Sequence, residues 1–358
     1  MAKSVIILLL TLCFGSFSQA QKPKLANAQV KEVAVAGGLQ PTVNSIMQKQ
    51  EGPAWIGYRI PTLPKERSMC CFNGNQHCMG CNVESNGTGS WVGNAADCDP
   101  PEPLRYAFVF LRTEQRQIQK VRAYSADCGL DFANLPLYWL ENVNPSESVS
   151  LLANLAVPAT PESTGTNKKN DLPDHAIMAI ALHDDPSADS TLEKLIQTGQ
   201  PEHTRERVAF WLGVERGKTG FEILRKYVKN DSDEHFRAKA VFGFSQSKEP
   251  EALRELISIA RNDSSAHVRG QAIFWLGQIG GRKEAQQITA AIENDPETEV
   301  KKRAVFALAQ MHNGEGIPLL INVAKTNKNP VVRKEAIRWL GMTNDPRALD
   351  YLEEILTK

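Results

Sequence analysis

The sequence predicts an α-solenoid of six helical repeats, preceded by a small disulfide-rich β domain. In the C-terminal half, an apolar pattern with helical spacing returns at intervals of about 32 residues. All seven cysteines lie at or before Cys128, so the two halves differ in composition as well as in pattern. The length of 358 residues also suits two domains better than one.

The first twenty residues have the features of a secretory signal. Lys3 supplies a positive charge, an apolar stretch follows from Val5 to Phe14, and Ser18 to Ala20 form a small-x-small cleavage motif. A stretch of about ten apolar residues is too short for a membrane helix. We therefore expect residues 1–20 to be a signal peptide, and the protein to be exported to the periplasm or the extracellular space.

Residues 21–142 are predicted to form a cysteine-rich, mostly β domain. Residues 21–50 have weak periodicity, which is typical of a flexible arm or a single helix. Beyond them, apolar and aromatic runs predict four strands, at residues 54–60, 105–111, 118–124 and 135–140. A long polar connection separates the first two of these strands.

Six cysteines remain after removal of the leader, and an even number in an exported chain indicates a disulfide framework. They are Cys70, Cys71, Cys78, Cys81, Cys98 and Cys128. The sequence does not choose among the possible pairings. A zinc site that includes His77 is disfavoured, because adjacent cysteines rarely bind one tetrahedral ion together. A thioredoxin-like role is disfavoured because no helix follows the Cys78-x-x-Cys81 motif. We predict neither a metal nor a cofactor.

Residues 143–171 are predicted to connect the two domains. Within Pro145–Ala156, the apolar residues Val149, Leu152 and Leu155 fall on one face of a short helix. Terminal units of a solenoid need a cap, and this helix is a candidate for one. The polar residues from Pro158 to Asn170 indicate a linker or loop.

Residues 172–358 carry the repeat. Segments that align without a gap at one fixed spacing begin at Arg205, Arg237, Arg269, Lys301 and Arg333, with a weaker copy at Pro173. Such a fixed period is typical of a solenoid. Each unit predicts two helices. In the fourth unit, apolar residues recur at helical spacing up to Leu276, Gly280-Gly281 interrupts the pattern, and a second helix starts near Glu284.

The pattern of Asp263 and Val268–Gly277, Asp … Val-Arg-x-x-Ala-Ile-x-x-Leu-Gly, resembles the short bacterial HEAT-like repeat that is also found in phycobilin lyases. The resemblance covers residues 172–358 and points to an exported bacterial HEAT-like repeat protein with a cysteine-rich N-terminal domain. It implies a solenoid that offers binding surfaces, and a lyase activity only by analogy of fold. We expect the recurring aspartates and arginines to form a structural ladder between repeats.

Two aromatic columns depart from that family pattern. Trp211, Trp275 and Trp339 alternate with Gly243 and Ala307, which predicts interdigitated core packing. The second column contains Phe210, Phe242, Phe274 and Phe306. At about 100° per residue these phenylalanines lie opposite the buried arc, as an outward ridge. The ridge could bind a partner, be covered by the N-terminal domain, or be core if the helix phase is wrong.

Three histidines share the outward face of the phenylalanine column: His203, His235 and His267. Neighbouring helices pack about 8–10 Å apart. Ligands of one zinc ion need to approach each other more closely than that. The histidines are therefore expected to be solvated or to belong to the same interface.

The remaining observations concern function. The 41 basic and 41 acidic residues balance, which argues against nucleic acid or an anionic membrane as a partner. No catalytic motif is present, and His183-Asp184-Asp185 is expected to be a solvated turn. The sequence predicts an exported, non-enzymatic scaffold or adaptor that binds a protein, with self-association possible. The alternative is an enzyme or enzyme subunit with metal or thiol groups in the cysteine-rich domain.

Overall fold

The computed structural model describes residues 22–65, 69–73, 76–79, 81–84, 104–126, 128–157 and 172–357. The signal peptide predicted at residues 1–20, the linker predicted from Pro158 to Asn170, and Cys98 lie outside these ranges. For Cys71 and Cys78 only the backbone is described.

The N-terminal region combines ten strands and two helices among its described residues. They are β1 (Lys24–Ala26), β2 (Gln29–Ala34), α1 (Leu39–Lys49), β3 (Ala54–Lys65), β4 (Cys71–Asn73), β5 (Gln76–Met79), β6 (Cys81–Asn82), β7 (Leu104–Glu114), β8 (Gln117–Ser125), β9 (Gly129–Asp131), β10 (Pro136–Glu141) and α2 (Pro145–Leu155). The predicted β character of this region is confirmed.

The main sheet has five strands in the order β2-β10-β3-β7-β8. Strand β10 runs parallel to both β2 and β3, whereas β3, β7 and β8 are antiparallel. A second sheet has the order β1-β9-β6, and β4 pairs with β5. Residues 21–50, expected to be an arm or one helix, contain two strands and α1. Strand β2 is exposed on nearly every residue, so its sequence lacks the alternation that marks a half-buried strand.

The two faces of the main sheet bury different cores. One face carries Trp55, Phe108, Phe110 and Trp139, and packs in a cluster with residues of the smaller sheet. The opposite face contributes aliphatic residues to a core that continues through α1, α2 and the helices of the C-terminal half. Helix α2 packs on the first two helices of that half. The sheet and α2 thereby cover one end of the helical stack, where a solenoid requires a cap.

The C-terminal half is a helical repeat solenoid whose described residues form twelve α-helices and one short 3-10 helix, His312–Gly314. The α-helices are α3 (Leu172–Leu182), α4 (Pro186–Leu195), α5 (Glu202–Glu215), α6 (Gly217–Asn230), α7 (Glu234–Gln246), α8 (Pro250–Asn262), α9 (Ala266–Ile279), α10 (Arg282–Asn294), α11 (Thr298–Ala309), α12 (Ile317–Thr326), α13 (Pro330–Leu340) and α14 (Pro346–Leu356). Odd-numbered helices are the first of each pair. Gly280 and Gly281 separate α9 from α10 with φ angles of 75° and 97°, which only glycine adopts readily.

The first helices of successive pairs pack tightly against one another, whereas the second helices scarcely touch. Small residues make the close approach possible. A Cβ at Gly213 of α5 would lie 2.0 Å from the carbonyl oxygen of Gly243 in α7, and one at Gly277 of α9 would lie 2.8 Å from the carbonyl oxygen of Ala307 in α11. Because the first helices lie close together and the second helices lie farther apart, the stack of helix pairs curves. The first helices line its concave side.

Arginines and aspartates connect successive pairs, as the sequence predicted. Arg237 binds Asp263 through two hydrogen bonds of 2.9 and 3.1 Å, and also donates to the backbone carbonyl of Asp231 at 2.9 Å. Arg269 repeats this arrangement one pair later with Asp295. Each guanidinium thus joins the end of one second helix to the end of the next.

The close approach of the first helices leads to a prediction. Gly213→Ala should lower the free energy of unfolding by about 1–3 kcal/mol or more, because α5 and α7 must separate to admit the methyl group. Gly341→Ala is the matched control, since it occupies the same repeat position and the atoms nearest to the added carbon are 3.6 Å away. Urea denaturation of the two variants measures the difference. Equal free energies of unfolding for the two variants would show that the close packing at Gly213 does not hold the first helices together.

Candidate binding face

Seven aromatic side chains form a continuous run of ring contacts across the concave layer, which we name the aromatic ladder. In spatial order they are Trp211, Phe210, Phe242, Trp275, Phe274, Phe306 and Trp339. The ring centroids of consecutive members are separated by 4.9, 5.4, 4.3, 5.0, 6.1 and 4.7 Å. The ladder spans five first helices, from α5 to α13.

The phenylalanines of the ladder are half-buried and lie outside the hydrophobic core clusters of the described residues. Leu276, by contrast, is completely buried. The tryptophans are half-buried too and pack against the cores from the same side. Sequence reasoning placed the tryptophans in the core and the phenylalanines on the opposite surface. The structure instead brings both columns together.

Contacts between rings on successive first helices join the two columns. Trp275 of α9 stacks on Phe242 of α7 with an angle of 23° between the rings. Trp339 of α13 contacts Phe306 of α11 with its ring tilted by 44°. Phe242 also stacks on Phe210 at 22°. Because Phe242 has a ring on each of its faces, its edge is the part that remains open.

Charged side chains accompany the ladder. Arg207 lies 6.0 Å from the ring of Phe210 and Arg338 lies 4.5 Å from the ring of Trp339, which is the geometry of cation–π contacts. Arg338 also donates a hydrogen bond to Glu335, and this bond lowers the pKa of the Glu335 carboxyl. Lys239 is 64% exposed and only 3.9 Å from Glu206. The concave face therefore offers aromatic rings together with cations that also lie near carboxylates.

The three histidines of the ridge lie on the described surface but do not converge on one point. His203 is 2.8 Å from Asp174, while the rings of His235 and His267 are 6.0 Å apart. Burial, with a smaller contribution from Arg303, lowers the pKa of His267. His267 is therefore a neutral polar group at neutral pH.

Three of the cysteines, Cys70, Cys81 and Cys128, meet on the aromatic side of the main sheet. Cys70 and Cys128 form a disulfide, and Cys81 also takes part in a disulfide. The sulfur of Cys81 lies 3.6 Å from that of Cys128 and 3.9 Å from that of Cys70. These three are the only group of three or more Cys, His, Asp or Glu side chains in the described ranges that is close enough to hold a metal. Their arrangement agrees with the disulfide framework that the sequence predicted for this region.

The prediction of a solvated turn at His183-Asp184-Asp185 is wrong for its histidine. His183 is completely buried where β3, α2 and α3 meet. Its Nδ1 is 2.7 Å from the carbonyl oxygen of Ala179, so Nδ1 donates and Nε2 accepts from the Ser148 hydroxyl at 2.9 Å. The Tyr58 hydroxyl is 3.0 Å from the same Ser148 oxygen and completes the chain of hydrogen bonds. His183 is buried because the sheet docks on this part of the turn, whereas Asp184 remains exposed.

Further bonds fix the sheet to the first helices. The backbone N–H of Asp184 donates to the carbonyl of Pro61 at 2.9 Å. Lys65, at the end of β3, donates to the carbonyl of Val214 and pairs with Glu215 at 3.1 Å. Within the solenoid, Arg216 donates to the backbone carbonyl of His183 and so holds the turn on which the sheet docks. These contacts hold the N-terminal sheet in one position relative to the solenoid.

The buried histidine leads to a pH prediction. Burial lowers the pKa of His183 from 6.5 to about 4, so the unfolded chain binds a proton that the folded chain excludes between these values. The free energy of unfolding should therefore fall by up to about 3 kcal/mol as the pH drops from 6.5 to 4. Urea denaturation across this range measures the effect.

The control for this prediction uses two variants. His183→Gln should be less stable at pH 7, but its free energy of unfolding should depend much less on pH between 6.5 and 4. His203→Gln, which changes an exposed histidine, should keep the pH dependence of the wild-type chain. An unchanged pH dependence in His183→Gln would mean that other groups cause it.

Comparison with known proteins supports the repeat assignment. A family model described as HEAT repeats matches residues 221–296 and 285–358. Residues 221–358 therefore match HEAT repeats, in agreement with the residue pattern of this part of the chain. No match was found among curated proteins. No helix of the described residues is long and apolar enough to cross a membrane.

Three solved structures show partial similarity. Human deoxyhypusine hydroxylase in complex with glycerol has a TM-score of 0.25 and 16% identity, over 59% of this chain and 90% of that one. The complex of CpcE and CpcF of phycocyanin lyase from Nostoc sp. PCC7120 has a TM-score of 0.31 and 17% identity, over 60% and 88%. Cex1p has a TM-score of 0.36 and 14% identity, over 61% and 46%. At these scores the likenesses give no ground for assigning a function.

Proposed function

We propose that this protein is an exported, non-enzymatic scaffold that binds a protein partner along the aromatic ladder. In this proposal residues 1–20 are a signal peptide, residues 21–142 a cysteine-rich β domain, residues 143–171 a cap and linker, and residues 172–358 six HEAT-like repeats. The continuous ladder on the concave face is the observation that carries the proposal.

The exposure of the ladder supports an interface. Half-buried aromatic rings that run across five helices form a long apolar strip, and such strips on monomeric proteins commonly mark binding sites. Repeat solenoids typically use their concave surface for this purpose. Aromatic residues and arginine are also the residues that contribute most to binding energy in protein interfaces.

The chemistry of the ladder favours a partner with acidic and apolar side chains. Aromatic rings carry partial positive charge at their edges, and the edge of Phe242 is the part left open by its stacked neighbours. Arg338, whose guanidinium lies 4.5 Å from the ring of Trp339, adds a cation beside the rings, and it also binds Glu335. Carboxylates of a partner can contact these groups while its apolar side chains cover the strip.

A crosslinking experiment tests this surface. A photoreactive phenylalanine analogue at position 274 should capture a protein from extracts of the producing cells, and Phe242→Ser combined with Phe210→Ser should reduce the yield at least about tenfold by removing ring contacts from the interface. Circular dichroism verifies the fold of each variant. The matched control is Leu253→Ser with Leu319→Ser, two half-buried apolar residues on second helices.

The control variant should capture the same protein as the wild-type chain. Equal capture by the ladder variant would mean that the rings serve internal packing. If neither the ladder variant nor the control variant captures the protein, the loss of capture would result from disruption of the solenoid fold and not from the missing rings.

Export has a separate test. Mass spectrometry of the protein recovered outside the cytoplasm should give a mature N-terminus at Gln21, because cleavage after Ala20 follows the small-x-small motif. Cytoplasmic protein that begins at Met1 would contradict export and would leave the proposal for the ladder intact.

A further inference from the structure

A cavity of about 430 Å³ opens at one end of the main sheet. Strand β10 pairs with β3 as far as Leu140 and Tyr58, whereas β3 continues along β7 to Lys65. The space beside the continuing β3–β7 ribbon is therefore not filled by a strand. This cavity lies in the sheet and is separate from the concave face of the solenoid.

The cavity has an excess of positive charge. Its lining includes the cations Lys22, Arg59 and Arg105 and one carboxylate, Glu141. Lys22 donates a hydrogen bond to Glu32 and is also within electrostatic reach of Glu141, so these charges compensate one another.

The two arginines of the lining, Arg59 and Arg105, differ from Lys22 in their contacts with carboxylates. Within the described residues neither Arg59 nor Arg105 forms an ion pair with a carboxylate. Arg59 is the one exposed residue of the otherwise buried run Ala54–Ile60. An anion in the solvent can therefore reach the guanidinium of Arg59.

Aromatic rings form the apolar wall of the cavity. The guanidinium carbon of Arg59 lies 5.6 Å from the centroid of the half-buried Tyr106 ring. Trp139 is 5% exposed, and its ring packs edge-on against Phe108 at 5.7 Å. The lining of the cavity thus combines arginines with flat apolar surface, which is the combination that recognises a carboxylate attached to an apolar group.

We infer that this cavity is a binding site for a small organic carboxylate with an aromatic or branched apolar group. The carboxylate accepts hydrogen bonds from Arg59 and Arg105. The apolar group lies against Tyr106 and Trp139, at the end of the aromatic core. Binding at this site requires neither the aromatic ladder nor a protein partner.

Calorimetric titration and ligand-observed NMR with phenylacetate test the inference on the full chain. Phenylacetate should bind, and benzylamine, which has a similar ring but the opposite charge, should not. Arg59→Gln and Arg105→Gln should each weaken phenylacetate binding by about tenfold or more, since each removes charge-assisted hydrogen bonds. Arg59→Lys, which keeps the charge without the fork, should give an intermediate loss.

The matched control is Arg116→Gln, which changes an exposed arginine in the turn between β7 and β8 of the same sheet. It should bind phenylacetate as the wild-type chain does, and circular dichroism verifies the fold of all variants. The inference is overturned by equal binding of benzylamine, by affinity that survives both Arg59→Gln and Arg105→Gln, or by no binding of phenylacetate up to its solubility limit.

Discussion

The close approach of the first helices is the constraint on which the rest of the solenoid depends. Gly213 and Gly243 let the backbones of α5 and α7 come so near that a methyl group at Gly213 would collide with a carbonyl oxygen. No comparable contact joins the second helices in the described part of the chain, so the stack curves toward the first helices. The same close approach brings the aromatic rings of successive first helices into contact, as in the stacking of Phe242 on Phe210. The curvature of the stack and the aromatic ladder therefore have one origin.

The N-terminal sheet stabilises the end of the solenoid that begins with α3. Its aliphatic face joins the core of the first helices, and the chain of hydrogen bonds from Tyr58 through Ser148 to His183 satisfies the polar groups that this docking buries. An unpaired polar group at such a place would cost about 1–3 kcal/mol. The neutral histidine suits the site because it can donate through one nitrogen and accept through the other. The sheet is thus fixed to the solenoid by specific bonds as well as by apolar contact.

The sequence predicted those features that depend on the repeat period and missed those that depend on docking. The helices of the repeat, the pairing of Arg269 with Asp295 and the alignment of the phenylalanines follow from the regular period, because equal spacing in the chain becomes stacking in space. Strand β2 could not be predicted, since its only regular partner among the described strands is β10, far along the chain. The burial of His183 and the cavity beside Arg59 depend on the same long-range packing.

The ladder also explains why a partly exposed aromatic strip can persist on this protein. Its rings contact one another at 4.3 to 6.1 Å, so each is held in place before any partner arrives. A side chain that is already ordered loses little conformational entropy on binding, whereas a mobile one loses about 0.5–1.5 kcal/mol. Stacking also covers the faces of Phe242 and leaves its edge, which reduces the apolar area exposed to water. The arrangement that limits this exposure in the free protein is therefore the same one that would prepare the surface for the binding that we propose.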